Sequence, residues 1–222
     1  MGRYAAVLFD LDGTLCRHEQ AIEPVFRGAF GDIGAEPIGE PTELWAAMDE
    51  ITAFESETAQ LADGIAGVAA DRGRELDAQA WAEAFAARLD WRDVTLLPGA
   101  ETALAAARAN GPVGLLTNGP RARQSTKLDA LGLDEAFDPV VYAGELDRRK
   151  PHAEPFERAI EALGLDPGRV LYVGNSLEHD VAGARDAGLP VAWLDTDGDE
   201  PGEHRPTHRI QSIDELADVL TT

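Results

Sequence analysis

From residue 96 onward, short apolar runs alternate with stretches patterned as helices, and that alternation leaves a chain few folds to adopt. Residues 113–116, 140–142, 170–173 and 191–194 have the length and composition of buried strands. Helical patterns over about residues 100–109, 121–131, 155–163 and 180–187 fill the gaps. Pro98-Gly99 precedes the first of these helices, and Asn110-Gly111 closes it as a helix C-terminus does. Ser212, with Glu215 three residues on, reads as a capping box opening a last helix, and residues 204–209 read as a loop leading to an edge strand. Residues 4–9 add a further buried strand. The pattern predicts a doubly wound parallel sheet covered by helices on both faces, the α/β class.

Residues 16–95 break the rhythm. They carry helical spacing, with Trp81, Phe85 and Leu89 at four-residue steps, and no strand signal. Glycine and proline cluster between Phe30 and Pro41, as in a connection between helices. The expected organisation is an α/β core from residues 1–15 and 96–222, interrupted by an inserted helical domain over residues 16–95.

Across 222 residues, 41 Asp and Glu face 19 Lys and Arg, a net charge of −22. Only two of the basic residues are lysines, Lys127 and Lys150. The acids are spread along the whole length, so a strongly acidic surface is expected, one that repels nucleic acid and anionic membranes. Such a surface with scarce lysine resembles proteins of salt-loving microbes, where dissolved ions screen the self-repulsion, and it predicts stability that needs high salt. No apolar stretch approaches the roughly 20 residues of a membrane span, and no signal or myristoylation pattern is present; the expected location is the cytoplasm. Cys16 stands alone, which excludes an internal disulfide and reads as a small core filler. Oligomeric state leaves no mark on the sequence.

In a doubly wound sheet the carboxyl ends of the strands share the edge at which ligands bind. The first strand ends in Asp10-Leu11-Asp12-Gly13-Thr14 and the second in Thr117-Asn118-Gly119. Lys150-Pro151 follows the third, and the fourth ends in Gly174-Asn175-Ser176 with Asp180 opening the next helix. Two carboxylates beside a buried strand cost free energy unless they are paired or bound to metal. Each residue type has a use in phosphoryl transfer. One carboxylate can attack phosphorus, and a second can protonate the leaving alcohol and then activate water. Magnesium takes hard oxygen ligands, while lysine and a threonine hydroxyl can stabilise the transferring group. A calcium loop opening at Asp10 is excluded, because its sixth and twelfth positions would hold Leu15 and Ala21 where Gly and Glu are needed.

Together, Asp10-Leu-Asp-Gly-Thr, Leu-Leu-Thr117-Asn-Gly, Lys150-Pro and Val-Gly-Asn175-Ser-Leu-Glu-His-Asp180 resemble the four motifs of the haloacid dehalogenase-like hydrolase superfamily, in order and across nearly the whole chain. The insertion after the first motif is similar to that family's helical type-1 cap. The resemblance implies a Rossmann-like core and a magnesium-dependent phosphatase acting on a small phosphorylated metabolite, such as phosphoglycolate, a sugar phosphate, a nucleotide or pyrophosphate. It implies Asp10 as nucleophile, Asp12 as general acid/base, Thr117 and Asn118 as substrate contacts, and Lys150 as the cation that neutralises Asp10 and phosphate. It implies a magnesium shell drawn from Asp10, Asp12, Asn175 and Asp180, with the cap closing over the substrate.

The chain departs from the family's phosphatases at Asn175, where they usually carry Asp. A neutral carbonyl oxygen still suits magnesium but gives up a charge. The family's metal-free dehalogenases also carry Asn in this region; they lack the second acid, because halide leaves without a proton, so Asp12 points away from them. A β-phosphoglucomutase-like phosphotransferase and a non-catalytic phospho-ligand-binding protein stay open as alternatives. Trp45, Trp81 and Trp91 are expected in the core of the cap. Arg17, Arg27, Arg72 and Arg74 are expected to partner surface acids, though each could supply specificity from the cap. The five histidines show no paired ligand spacing and are expected at the surface or in loops, with His179 the one adjoining the site through Asp180.

Overall fold

The structure is a computed structural model that describes residues 2–49, 51 and 56–221. Its strands are Ala6–Phe9 (β1), Cys16–His18 (β2), Val94–Leu96 (β3), Val113–Thr117 (β4), Val140–Tyr142 (β5), Val170–Gly174 (β6), Val191–Leu194 (β7) and His208–Ile210 (β8). Six of them form one sheet in the order β5-β4-β1-β6-β7-β8, and every neighbouring pair is parallel. β1 lies at the centre, where the chain first builds outward through β4 and β5 and later through β6, β7 and β8. Such a reversal opens a crevice at the carboxyl ends of the strands.

The alternation of side chains explains why the central strands are apolar throughout. Val7 and Phe9 of β1 join Leu115, Leu171 and Val173 in one core, while Ala6 and Leu8 join Leu116, Val170 and Tyr172 in the other. A strand buried on both faces cannot alternate polar with apolar residues. The edge strand β8 instead reads His-Arg-Ile, with Ile210 buried. His208, expected at the surface or in a loop, lies on this strand with Nε2 2.7 Å from the Tyr4 hydroxyl, and burial lowers its pKa.

β2 and β3 form a separate antiparallel ribbon that pairs Cys16 with Leu96 and His18 with Val94. Residues 16–95 had given no strand signal. Each arm of the ribbon is three residues long, one of them Cys-Arg-His, which is too short and too polar for a period-two pattern. The ribbon also moves the domain junctions. The chain divides into one compact unit of Met1–Glu19 with Trp91–Thr222 and another of Gln20–Asp90, so residues 16–19 and 91–95 belong with the sheet.

The Gln20–Asp90 unit contains helices Ile22–Asp32 (α1), Pro41–Asp49 (α2), Glu57–Ala70 (α3) and Ala78–Arg88 (α4). The Ser56 hydroxyl caps α3 by accepting from the Ala59 N–H, and the Asp77 carboxylate caps α4 by accepting from the Ala80 N–H. Phe26, Phe30, Trp81 and Phe85 form its aromatic centre, with Trp81 stacked on Phe85 at 5.0 Å. Trp45 is 37% exposed at the edge of this cluster. Trp91, expected in the same core, belongs to the other unit. Arg27 pairs with Glu23 and Glu40, and Arg72 with Glu43, all at the surface.

In the sheet unit, Ala100–Asn110 (α5) and Leu216–Thr221 lie on the face of Val7 and Phe9, contributing Leu104, Ala107, Leu216 and Leu220. Arg121–Ala130 (α6) adds Leu128 to that core. Ala153–Leu163 (α7) and Gly183–Asp186 (α8) cover the opposite face through Phe156, Ala159 and Ala184. The segment Leu216–Thr221 (α9) follows a 3₁₀ turn at Ile213–Glu215. That turn is opened by the expected capping box, in which the Ser212 N–H donates to Glu215 Oε1 at 3.0 Å. Among the described residues, no helix is long and apolar enough to cross a membrane.

Candidate active site

The loop after β1 carries two carboxylates into different surroundings. The Asp10 N–H donates to the Val173 carbonyl at 2.9 Å, which carries the sheet's pairing one residue past the strand and fixes where the side chain starts. Asp10 is 6% exposed. Its Oδ1 accepts from Lys150 Nζ at 2.8 Å, and its Oδ2 lies 3.4 Å from the Thr14 hydroxyl. Asp12 opens outward, with its side chain 43% exposed. Between the two acids and Thr14 the chain turns at Gly13, whose φ of 81° lies in the left-handed region. A Cβ there would meet the Asn175 amide at 2.7 Å, so glycine serves both the turn and the close approach of the β6 loop.

Lys150 is the hub of the buried part. Besides Asp10, its ammonium donates to Asp180 Oδ1 at 2.7 Å and to the Tyr172 hydroxyl at 2.9 Å, which uses all three of its hydrogens. The Tyr172 hydroxyl in turn donates to Asp180 Oδ1 at 2.9 Å, and Asp180 Oδ2 accepts from the Ser176 N–H at 2.9 Å. Burial works against the Lys150 charge, but Asp10 and Asp180 outweigh it and raise its pKa. Burial, together with Asp180 and Asp10, pushes the Tyr172 phenol well up, so it stays a neutral donor. Asp10 itself is pushed up to about 7, first by burial and against the pull of Lys150, with Asp180 adding to the rise. Two acids share one cation here, which leaves this buried cluster with one uncompensated negative charge when both are ionised.

The structure brings Asp10, Asp12, Thr117, Lys150, Asn175 and Asp180 to the same end of the sheet, and gives several of them partners that spacing did not foretell. Asp180 does not open its helix. A π-helical turn begins three residues earlier, at Leu177, with the Ser176 hydroxyl accepting from the His179 N–H. Asp180 then folds back over Gly174, where a Cβ would meet its carboxylate at 2.5 Å. His179 is exposed. The Asn118 side chain is joined to the Lys150 backbone, accepting from its N–H at 2.9 Å and donating to its carbonyl at 3.1 Å. It clamps the lysine loop to the end of β4. Thr117 is buried, and its hydroxyl oxygen accepts from Gln124 Nε2 at 2.6 Å.

Gln124, Lys127, Tyr172 and Thr14 contact the candidate site residues and were not foreseen from the sequence. Lys127 Nζ lies 2.6 Å from Asp12 Oδ1, and Gln124 Nε2 lies 2.7 Å from Asp12 Oδ2. Burial presses the Asp12 carboxyl upward, but Lys127 and Gln124 prevail and hold it below the usual range. The available signal for Lys127 was its rarity, since it is one of two lysines in the chain. Cys16 is fully buried, and burial beside Asp12 pushes its thiol up to about 12, which leaves it inert.

The four residues expected around magnesium do not stand alike. Asp10 Oδ2 and Asn175 Oδ1 flank the same Thr14 hydroxyl, at 3.4 and 3.1 Å, and both are hard oxygens. Asp12 and Asp180 have given their oxygens to lysine, amide, phenol and backbone donors. Among the described residues, no cluster of three His, Cys, Asp or Glu forms a metal site. The oxygen pair at Asp10 and Asn175, beside a buried cluster with surplus negative charge, nevertheless fits a hard divalent cation.

Residues 4–188 match the family model for haloacid dehalogenase-like hydrolases. Phosphoglycolate phosphatase of Cereibacter sphaeroides is 36% identical over 227 residues, covering 96% of each chain. Pyrimidine 5′-nucleotidase YjjG of Escherichia coli is 38% identical over 128 residues, with 57% of each protein covered. Among solved structures, the HAD-hydrolase YfnB of Bacillus subtilis, which was determined bound to magnesium, superposes with a TM-score of 0.79 at 23% identity, covering 99% of this chain and 100% of that one. The fold is thus shared with YfnB, and the match of family model and full-length relative makes this chain an enzyme of the haloacid dehalogenase-like hydrolase family.

Proposed function

We propose that the chain is a magnesium-dependent phosphatase that hydrolyses a small phosphorylated metabolite through an aspartyl-phosphate on Asp10. The observation that carries this reading is the division of labour between two carboxylates of one loop. Asp10 is fixed and nearly closed off, with one oxygen on Lys150, whereas Asp12 is held by its partners yet open to solvent. Asp10 attacks phosphorus and the ester P–O bond breaks. Asp12, an anion in the free protein, takes up a proton as the anionic phosphate comes near. It gives that proton to the departing alcohol, then takes one from the water that releases inorganic phosphate from Asp10. The Thr117 hydroxyl, whose oxygen already accepts from Gln124, offers its hydrogen to a phosphoryl oxygen. Lys150 balances the charge that gathers at Asp10.

Magnesium would be held by Asp10 and Asn175, and when bound it supplies charge neutralisation for the phosphoryl oxygens. Asp180 then acts through Lys150. We assign the Gln20–Asp90 unit as the family's helical cap. The relatives named above point to phosphoglycolate-like or nucleotide-like substrates, both small phosphate monoesters. A dehalogenase reading leaves Asp12 without a use.

The test is phosphate release from p-nitrophenyl phosphate in molar potassium chloride, with and without magnesium, by the intact chain and by Asp10→Asn. Magnesium-dependent release that falls at least about a thousandfold in the variant is expected. No release from folded protein would overturn the reading.

A further inference from the structure

We propose that Gln124 and Lys127, three residues apart on α6, are positioning residues that together hold the Asp12 carboxylate and orient the Thr117 hydroxyl for the reaction. The proposal rests on the reading of Asp12 as the general acid/base. It goes beyond that reading by assigning a role to a helix face outside the four motifs.

The geometry is specific. Lys127 Nζ takes Asp12 Oδ1 at 2.6 Å and Gln124 Nε2 takes Oδ2 at 2.7 Å, one donor for each oxygen. A carboxylate gripped at both oxygens cannot turn about its terminal bond, yet 43% of this side chain faces solvent, so its remaining lone pairs stay available. The two donors are themselves buried, Gln124 completely and Lys127 to within 3%. Helix α6 is otherwise strongly polar, and burying an amide and an ammonium in it has a cost that only specific partners offset. Gln124 Oε1 is buried with no hydrogen-bond partner among the described residues, a cost the fold bears while the other end of the amide is fully engaged.

That engaged end determines the direction of a second hydrogen bond. An amide can face a carboxylate only with its NH₂, and the second hydrogen of that NH₂ reaches Thr117 Oγ1 at 2.6 Å. Thr117 therefore accepts from Gln124, and its own hydrogen points to another acceptor. One side chain thus sets both the proton-transfer group and the hydroxyl donor. Lys127 is supported in turn by the Trp91 ring, whose centroid lies 5.2 Å from Nζ. The chain's two lysines are both committed to the two aspartates of one loop, where the remaining basic residues are arginines. A compact ammonium reaches a single carboxylate oxygen without the fork a guanidinium requires.

The test compares kcat/KM for phenyl phosphate and p-nitrophenyl phosphate, with magnesium, for the intact chain, Asp12→Asn, Lys127→Met and Gln124→Met. Phenolate is about as basic as a tyrosinate, with a pKa of about 10, and needs the proton from Asp12; nitrophenolate is far less basic and needs it less. The parameter kcat/KM covers only the steps through phosphoryl transfer to Asp10, and the ratio between two substrates is independent of how much of a variant is folded. Asp12→Asn and Lys127→Met are expected to lower the phenyl-to-nitrophenyl ratio by about tenfold or more, and Gln124→Met in the same direction by less. Should Lys127→Met not fold, Gln124→Met carries the same ratio. If Asp12→Asn lowers the ratio while the α6 variants reduce both substrates equally, Gln124 and Lys127 are structural and the proposal is overturned. If Asp12→Asn leaves the ratio unchanged, the general-acid reading itself fails and this inference falls with it.

Discussion

Asp10 and Asp12 stand two residues apart, each against a lysine, yet one is sealed among buried polar groups and the other opens to water. Around Asp10 two acids share Lys150, and burial raises its pKa to about 7 despite that lysine. Around Asp12 burial also acts upward, but one lysine and one amide serve a single acid and win. The difference shows that surroundings, and not spacing along the chain, set how readily each acid carries its charge. A carboxylate whose charge is penalised is where a cation gains most. A carboxylate already stable as an anion acquires proton affinity only when a second anion, such as a phosphate, comes near.

The largest contrast should appear in stability. Lys150→Met strands Asp10 and Asp180 in the interior and should cost about 3–5 kcal/mol, a fall in Tm on the order of 10 °C. Lys127→Met leaves Asp12 able to hydrate and should cost at most about 1 kcal/mol. Urea unfolding of both variants measures the two costs directly, and equal values would erase the distinction.

The pH dependence should also run in opposite senses. In metal-free protein, Asp10 keeps its proton to about pH 7 while the unfolded chain releases it near the ordinary carboxylate value. Its share of stability is therefore complete below about pH 4 and is lost as pH rises through 7. Asp12, with its pKa lowered, contributes above the ordinary carboxylate pKa and loses that share as pH falls. The stability of the intact chain minus that of Asp10→Asn should accordingly decline between about pH 4 and pH 8, and a flat difference would show that burial does not penalise the Asp10 charge.

A smaller effect is expected at Asn175. Asn175→Asp adds a charge beside Asp10 and should tighten magnesium at least about tenfold, or 1.4 kcal/mol, in calorimetric titration. Unchanged affinity would remove Asn175 from the metal's surroundings.

Much of this arrangement was legible in the sequence, and what was not has physical reasons. Strands β1, β4, β6 and β7 are apolar because both faces of the sheet are covered, so their runs stood out. The ends of those runs displayed Asp10, Thr117 and Asn175 in plain order. Tyr172 was hidden because it sits inside such a run and reads as one more large apolar residue. Gln124 and Lys127 were hidden because a polar residue on a polar helix looks solvated unless its partner is known, and their partner lies more than a hundred positions earlier. Ribbon β2–β3 escaped for a related reason, since its two short arms acquire meaning only when paired.

That ribbon has a consequence for how the chain closes. Because Cys16 meets Leu96 and His18 meets Val94, the whole Gln20–Asp90 segment is, to the sheet, the loop of a hairpin. The entropy of closing a flexible loop grows only with the logarithm of its length, about 0.6 kcal/mol for each doubling. A sheet that has already met the cost of joining those two arms is nearly indifferent to how much chain hangs between them. The insertion can therefore lengthen, shorten or be exchanged over evolutionary time while Asp10 and Asp12, only a few residues before the first arm, keep their places.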